Sequence, residues 1–115
     1  MSKLIEELTA MGCEMQMTMS RFLDDEEFYE ECFEESLRDK DFEELGKALE
    51  ENRVDDAFKA AHTLKGVISN MGLTSMMNIV VPVVEALRIG STEGTAEGYA
   101  DLLEERKKYL ALIGR

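Results

Sequence analysis

Between Val54 and Met71 the apolar residues Val54, Phe58, Ala61, Leu64, Ile68 and Met71 are spaced four, three, three, four and three apart. That is the period of one face of an α-helix. An apolar face of this length has to be covered, and the rest of the chain offers helices to cover it. Proline occurs once, strong helix formers abound, and alternating β-type stretches are nearly absent. The expected fold class is therefore all-α.

The other segments read the same way. Leu4, Ile5, Leu8 and Met11 line a short first helix over 2–11, and Gly12 supplies its left-handed cap. Met15, Met19, Phe22 and Leu23 form a second short amphipathic stretch. Asp24 with Glu27 has the form of a capping box for a helix over 25–38, with Phe28, Tyr29, Cys32, Phe33 and Leu37 inward and glutamates on a solvated face. Asp39 or Asp41 can cap the next helix, with Phe42, Leu45, Ala48 and Leu49 inside. Asn52 is read as the cap of the long helix and Gly72 as its terminator. Thr74 is read as the cap of the segment from Met76 to Leu87. Its β-branched run also fits a buried strand, but no partner strand exists and Pro82 opposes a central strand, so a kinked, largely buried helix is expected. Gly90, Gly94 and Gly98 mark a loop before a last helix with Tyr99, Leu102, Leu103, Leu110 and Ile113 inward. With short loops and no internal repeat, these helices pack as one antiparallel bundle spanning 1–115.

Charge and length exclude several functions. The 115 residues carry 13 Lys and Arg against 25 Asp and Glu, a formal net charge of −12. That balance disfavours nucleic acid and anionic membrane surfaces. The longest apolar run, Ile79 to Val84, is far too short to span a bilayer. Glu6 and Glu7 interrupt the stretch a secretory signal would need, so a cytoplasmic location is the default. Met1 favours a freestanding protein. Cys13 and Cys32 are read as free thiols, and with the single His62 they supply too few ligands for a zinc site, so no metal site is assigned. There is no glycine-rich phosphate loop and no Cys-x-x-Cys pair.

His62 lies about 130° from the mean apolar direction of its helix, on the exposed or boundary side. Lys65 and Gly66 stand at i+3 and i+4, the positions adjoining it, and Ser69 continues the stripe. Lysine offers a cation to a phosphoryl group on the imidazole. A mid-helix glycine costs about 1 kcal/mol relative to alanine, which suggests a use: close approach of another protein's backbone, or tight packing of a neighbouring helix.

Ala61-His62-Thr63-Leu64-Lys65-Gly66, followed by Ser69-Asn70-Met71-Gly72, resembles the signature of histidine-containing phosphotransfer (HPt) domains. An upstream helix pair of the family fits Asp41 to Asn52, and Val84-Glu85 resembles a pair on the following helix, so the resemblance covers about residues 15–112. It implies a four-helix antiparallel bundle with additional short N-terminal helices. It further implies that His62 is the phosphoacceptor, with Lys65, Gly66 and Ser69 neighbouring the phosphate. The implied partners are the receiver domain of a hybrid sensor histidine kinase and the receiver domain of a response regulator, with Mg on the receiver and no intrinsic cofactor. The chain would be a carrier without kinase activity. Docking is expected around His62 and at Lys59; the apolar residues between Met76 and Leu87 are read first as a helix apolar nearly all round, with a docking patch as the alternative. The rival readings are an adaptor bundle that binds receiver or kinase domains without carrying phosphate, the phosphoacceptor domain of a chemotaxis-type kinase, and a carboxylate-rich metal-storage bundle.

Overall fold

The computed structural model describes residues 2–113. Met1, Gly114 and Arg115, the ends of the expected 1–115 span, lie outside the described residues. The helices are α1 (Lys3–Ala10), α2 (Met15–Arg21), α3 (Glu26–Leu37), α4 (Asp41–Glu50), α5 (Val54–Met71), α6 (Thr74–Arg88) and α7 (Thr95–Leu110), with no strand among the described residues. Helices α4 to α7 form a four-helix bundle in which each packs on the next and α7 returns to α4. The short connections force antiparallel neighbours. Helix α3 lies across α5 and α7, and α1 pairs with α2.

Helix α5 is covered by α4, α6 and α3. Three neighbours can approach one helix only where its side chains are small, and the buried residues Ala57, Ala60 and Ala61 meet that need alongside Leu64, Ile68 and Met71. The inward face is thus rotated from the one expected: Val54 and Phe58 are only half-buried at its edge. Helix α6 buries Met76, Val80, Val83, Val84 and Leu87 and runs through Pro82, which is exposed. Asn78, whose carbonyl Pro82 cannot serve, is exposed too, where water can satisfy it.

Three tyrosine hydroxyls tie the helices together. Tyr29 donates to the Met71 carbonyl at 2.8 Å, Tyr99 donates to the Phe42 carbonyl at 2.7 Å, and Tyr109 bonds Ser75 Oγ at 2.6 Å. Tyr109 is fully buried, although the spacing of the last helix did not mark it. Phe28 and Leu23, expected inside, are exposed.

Gly72 caps α5 as expected, whereas the N-caps of α3 and α5 differ from expectation by one residue, for a common reason. Leu23, Asp24 and Asn52 adopt left-handed backbone with φ of 55°, 59° and 59° to turn the chain. A residue in that conformation cannot also hold the extended geometry of an N-cap. The cap of α3 is therefore Asp25, whose carboxylate accepts from the Phe28 N–H at 3.0 Å. Arg53, not Asn52, precedes α5 and binds Glu51, Asp56 and Glu44. Thr74 is the first residue of α6 rather than its cap, and Gly98 lies within α7 rather than in the loop. Asp39 holds the start of α4 by accepting from the Asp41 N–H at 2.8 Å.

Candidate functional site

His62 stands in the middle of α5 with its side chain exposed. Side chains on a helix lean toward its N-terminus, so the imidazole reaches back over the preceding turn. The residue it meets there is Phe58 at i−4, with ring centroids 5.6 Å apart and planes at 41°. Phe58 is in turn held from α6, because the Arg88 guanidinium lies over its ring, 5.2 Å from the centroid. Glu85, one turn earlier on α6, pairs with Arg88 Nε at 3.4 Å. Lys59 is exposed on the same turn as Phe58.

On the other side of His62 the same lean applies. Lys65 is half-buried on the next turn, at i+3 from His62. Gly66, at i+4, is where a side chain would lean back toward His62, and it has none. A Cβ built there meets no atom within 4 Å. Internal packing therefore does not require this glycine, and the space beside His62 stays open to solvent.

Ser69 is exposed but lies two turns along, about 10 Å down the helix axis, and is not brought to the ring. Its surroundings belong to α2. Arg21 Nη2 donates to the carbonyls of Ser69 at 3.1 Å and Asn70 at 2.9 Å; the Ser69 carbonyl also accepts from the Gly72 N–H, and the Asn70 carbonyl is one the end of a helix leaves open. Gly72 ends α5 in the left-handed conformation with φ 75°, and a Cβ there would collide with the Thr18 hydroxyl of α2.

The electrostatics of this face differ from the rest of the molecule. Residues 54–88 hold Asp55, Asp56 and Glu85 against Lys59, Lys65 and Arg88, so the α5–α6 hairpin is neutral and the −12 of the chain lies elsewhere. Asp56 is engaged with Arg53 at 2.8 Å. Among the described residues no three metal-ligating side chains converge, and no carboxylate hydrogen-bonds the imidazole. The face presents one exposed imidazole in contact with the Phe58 ring, with Lys59 and Lys65 on the adjoining turns and an open position at Gly66.

A family model described as the Hpt domain matches residues 27–113, most of the chain. The chain belongs to the Hpt domain family. Hpt domains are phosphocarrier modules that work with receiver domains in phosphorelays and lack kinase activity of their own. The Hpt match begins at residue 27, so α1 and α2 lie outside it, where the sequence resemblance had been extended back to residue 15. The helix pair expected within 41–52 is the single helix α4. No curated protein and no solved structure matches the chain. No helix of the described residues is long and apolar enough to cross a membrane.

Sequence reasoning missed Phe58, Arg88 and Arg21. The spacing places Phe58 inward, and it does pack half-buried against the core, but its position four residues before His62 also makes it a neighbour of the histidine on the helix surface. Arg88 and Arg21 reach α5 from other helices, and no local pattern marks them.

Proposed function

We propose that this Hpt domain is a phosphocarrier in which His62 accepts a phosphoryl group from a receiver-domain aspartate and hands it to another. The observation that carries the reading is the exposed imidazole on the mid-surface of α5 with an open flank at Gly66. In the transfer, a lone pair of the neutral imidazole forms the N–P bond as the aspartyl O–P bond breaks. The aspartate leaves as a carboxylate, and the ring keeps its other N–H proton. Such transfers need in-line positioning and neutralised equatorial charge. Lys65 supplies one cation; a magnesium ion bound by the receiver supplies the rest.

The donor in this reading is the receiver domain of a hybrid sensor kinase and the acceptor is a response-regulator receiver, both in the cytoplasm. Their acidic metal sites meet the neutral α5–α6 hairpin rather than the strongly acidic remainder, which limits repulsion at the encounter. Lys59 lies within the docking surface.

The test is transfer from a panel of receiver domains phosphorylated beforehand, with intact-mass and acid-lability analysis of the wild type and of His62→Gln. The expected result is one acid-labile, alkali-stable phosphate on the wild type and none on the variant, both equally helical. Phosphate that persists in the variant removes His62 from the role. Absence of transfer from every receiver that binds the folded protein favours the adaptor reading.

A further inference from the structure

We infer that Phe58 is a positioning residue: its ring, held from α6 by Arg88, keeps the imidazole of His62 in a single outward orientation. The inference rests on the reading of His62 as phosphoacceptor and adds how the ring is aimed.

Three observations carry it. Phe58 is the residue that His62 leans on, and the rings are in tilted contact at 5.6 Å and 41°. Rings at that separation and tilt attract beyond the area they bury. Phe58 also packs against the core from the edge of the inward face rather than within it. That face is made by Ala57, Ala60, Ala61, Leu64, Ile68 and Met71, with Phe58 half-buried at its edge. Finally, the Phe58 ring is itself fixed from a second helix by the Arg88 guanidinium at 5.2 Å, and Glu85 in turn orients Arg88.

An exposed histidine on a helix otherwise samples two χ1 wells and a broad range of χ2. Only part of that population aims a ring nitrogen in line with an incoming phosphorus atom. Contact with Phe58 on one flank and an open position at Gly66 on the other serve both needs at once. Phe58 removes the unproductive orientations, while the missing side chain at Gly66 leaves the approach path clear.

The experiment compares the full chain with Phe58→Leu and Phe58→Tyr. The first readout is NMR of the His62 ring: its proton shifts, displaced by the Phe58 ring current, and the side-chain couplings that report rotamer averaging. The second is the rate of His62 phosphorylation by phosphoramidate, a partner-free donor whose P–N bond breaks as the imidazole N–P bond forms and ammonia leaves. In wild type and Phe58→Tyr the ring should show one dominant rotamer. In Phe58→Leu the displaced shifts should vanish, the couplings should average, and phosphorylation should slow about threefold to tenfold, the bias such an aromatic pair can impose. Phe58→Tyr should stay within about twofold of wild type, since it keeps the ring.

Unchanged couplings in Phe58→Leu would overturn the inference, as would lost ordering with an unchanged rate. If phosphoramidate labels His62 in none of the three proteins, the phosphocarrier reading fails, and the NMR comparison still decides whether Phe58 holds the ring.

Discussion

Two glycines on one helix show how differently the same residue can be used. Gly72 is required by the backbone and by its neighbour: its φ is 75°, and Thr18 occupies the space a Cβ would need. Gly66 is required by neither, since its backbone is helical and a Cβ there meets nothing within 4 Å. A glycine inside a helix costs roughly 0.5–1 kcal/mol relative to alanine through chain entropy. Gly66→Ala should therefore stabilise the fold by about that amount in urea unfolding. Gly66→Gln, whose side chain would lean back over His62, should keep most of the stability gain and lose transfer from receivers. A Gly66→Ala protein less stable than wild type would show that the position serves packing after all. The sequence could mark Gly66 as costly but could not say whether the cost bought packing or access. Only its open surroundings decide that.

At the scale of the helix, α5 and its stop at Gly72 were legible, and its N-terminal end was not. Its existence, its length and its exposed histidine follow from spacing alone, because burial of a full apolar face outweighs local preferences. Each fully buried leucine contributes roughly 1.5–3 kcal/mol, against about 1 for a good cap. The ends depend on how the chain reverses. Asn52, Asp24 and Thr74 are good cap residues by type, yet two sit in left-handed turns and the third is already helical. The C-terminal end of α5 is held from a distance, by Arg21 on the Ser69 and Asn70 carbonyls. Hydrogen bonds of this kind contribute about 1 kcal/mol each in a protein and less when exposed. Arg21→Ala should thus cost about 1 kcal/mol and speed amide exchange in the last turn of α5, with His62 phosphorylation little changed. Equal exchange in the two proteins would show that Arg21 leaves the helix end as it is.

Across the whole molecule the tyrosines interlock what the helices only place side by side. Tyr29 joins α3 to the end of α5, Tyr109 joins α7 to α6, and Tyr99 joins α7 to α4. Burial pushes all three phenols above the ordinary tyrosine value; beside Tyr29 and Tyr109 the Cys13 thiol adds to the rise, and beside Tyr99 the Glu43 carboxylate does. The unfolded chain releases these protons near pH 10, whereas the folded protein holds them to higher pH. The stability this represents is fully present below about pH 10 and is lost as pH rises through the folded values. With 3 tyrosines and no tryptophan, phenolate absorbance is a clean readout. We expect no separate phenolate step near pH 10 but one cooperative step coincident with loss of helical circular dichroism. Independent titration of all three with the helices intact would contradict the interlock.

Taken alone, the sequence determined the helical class, the central amphipathic helix, the exposed setting of His62 with Lys65 and Gly66 beside it, and the acidic balance of the chain. These depend on periodicity and on residue type, which are local and additive. The tertiary structure decided which face of α5 turns inward, because close approach of three helices selects alanines over the larger Val54 and Phe58. It also decided that Arg88 of α6 lies over the Phe58 ring that His62 touches, while Arg21 of α2 binds the Ser69 and Asn70 carbonyls at the end of α5. Those relations join residues on different helices, and their distances exist only once the bundle has closed.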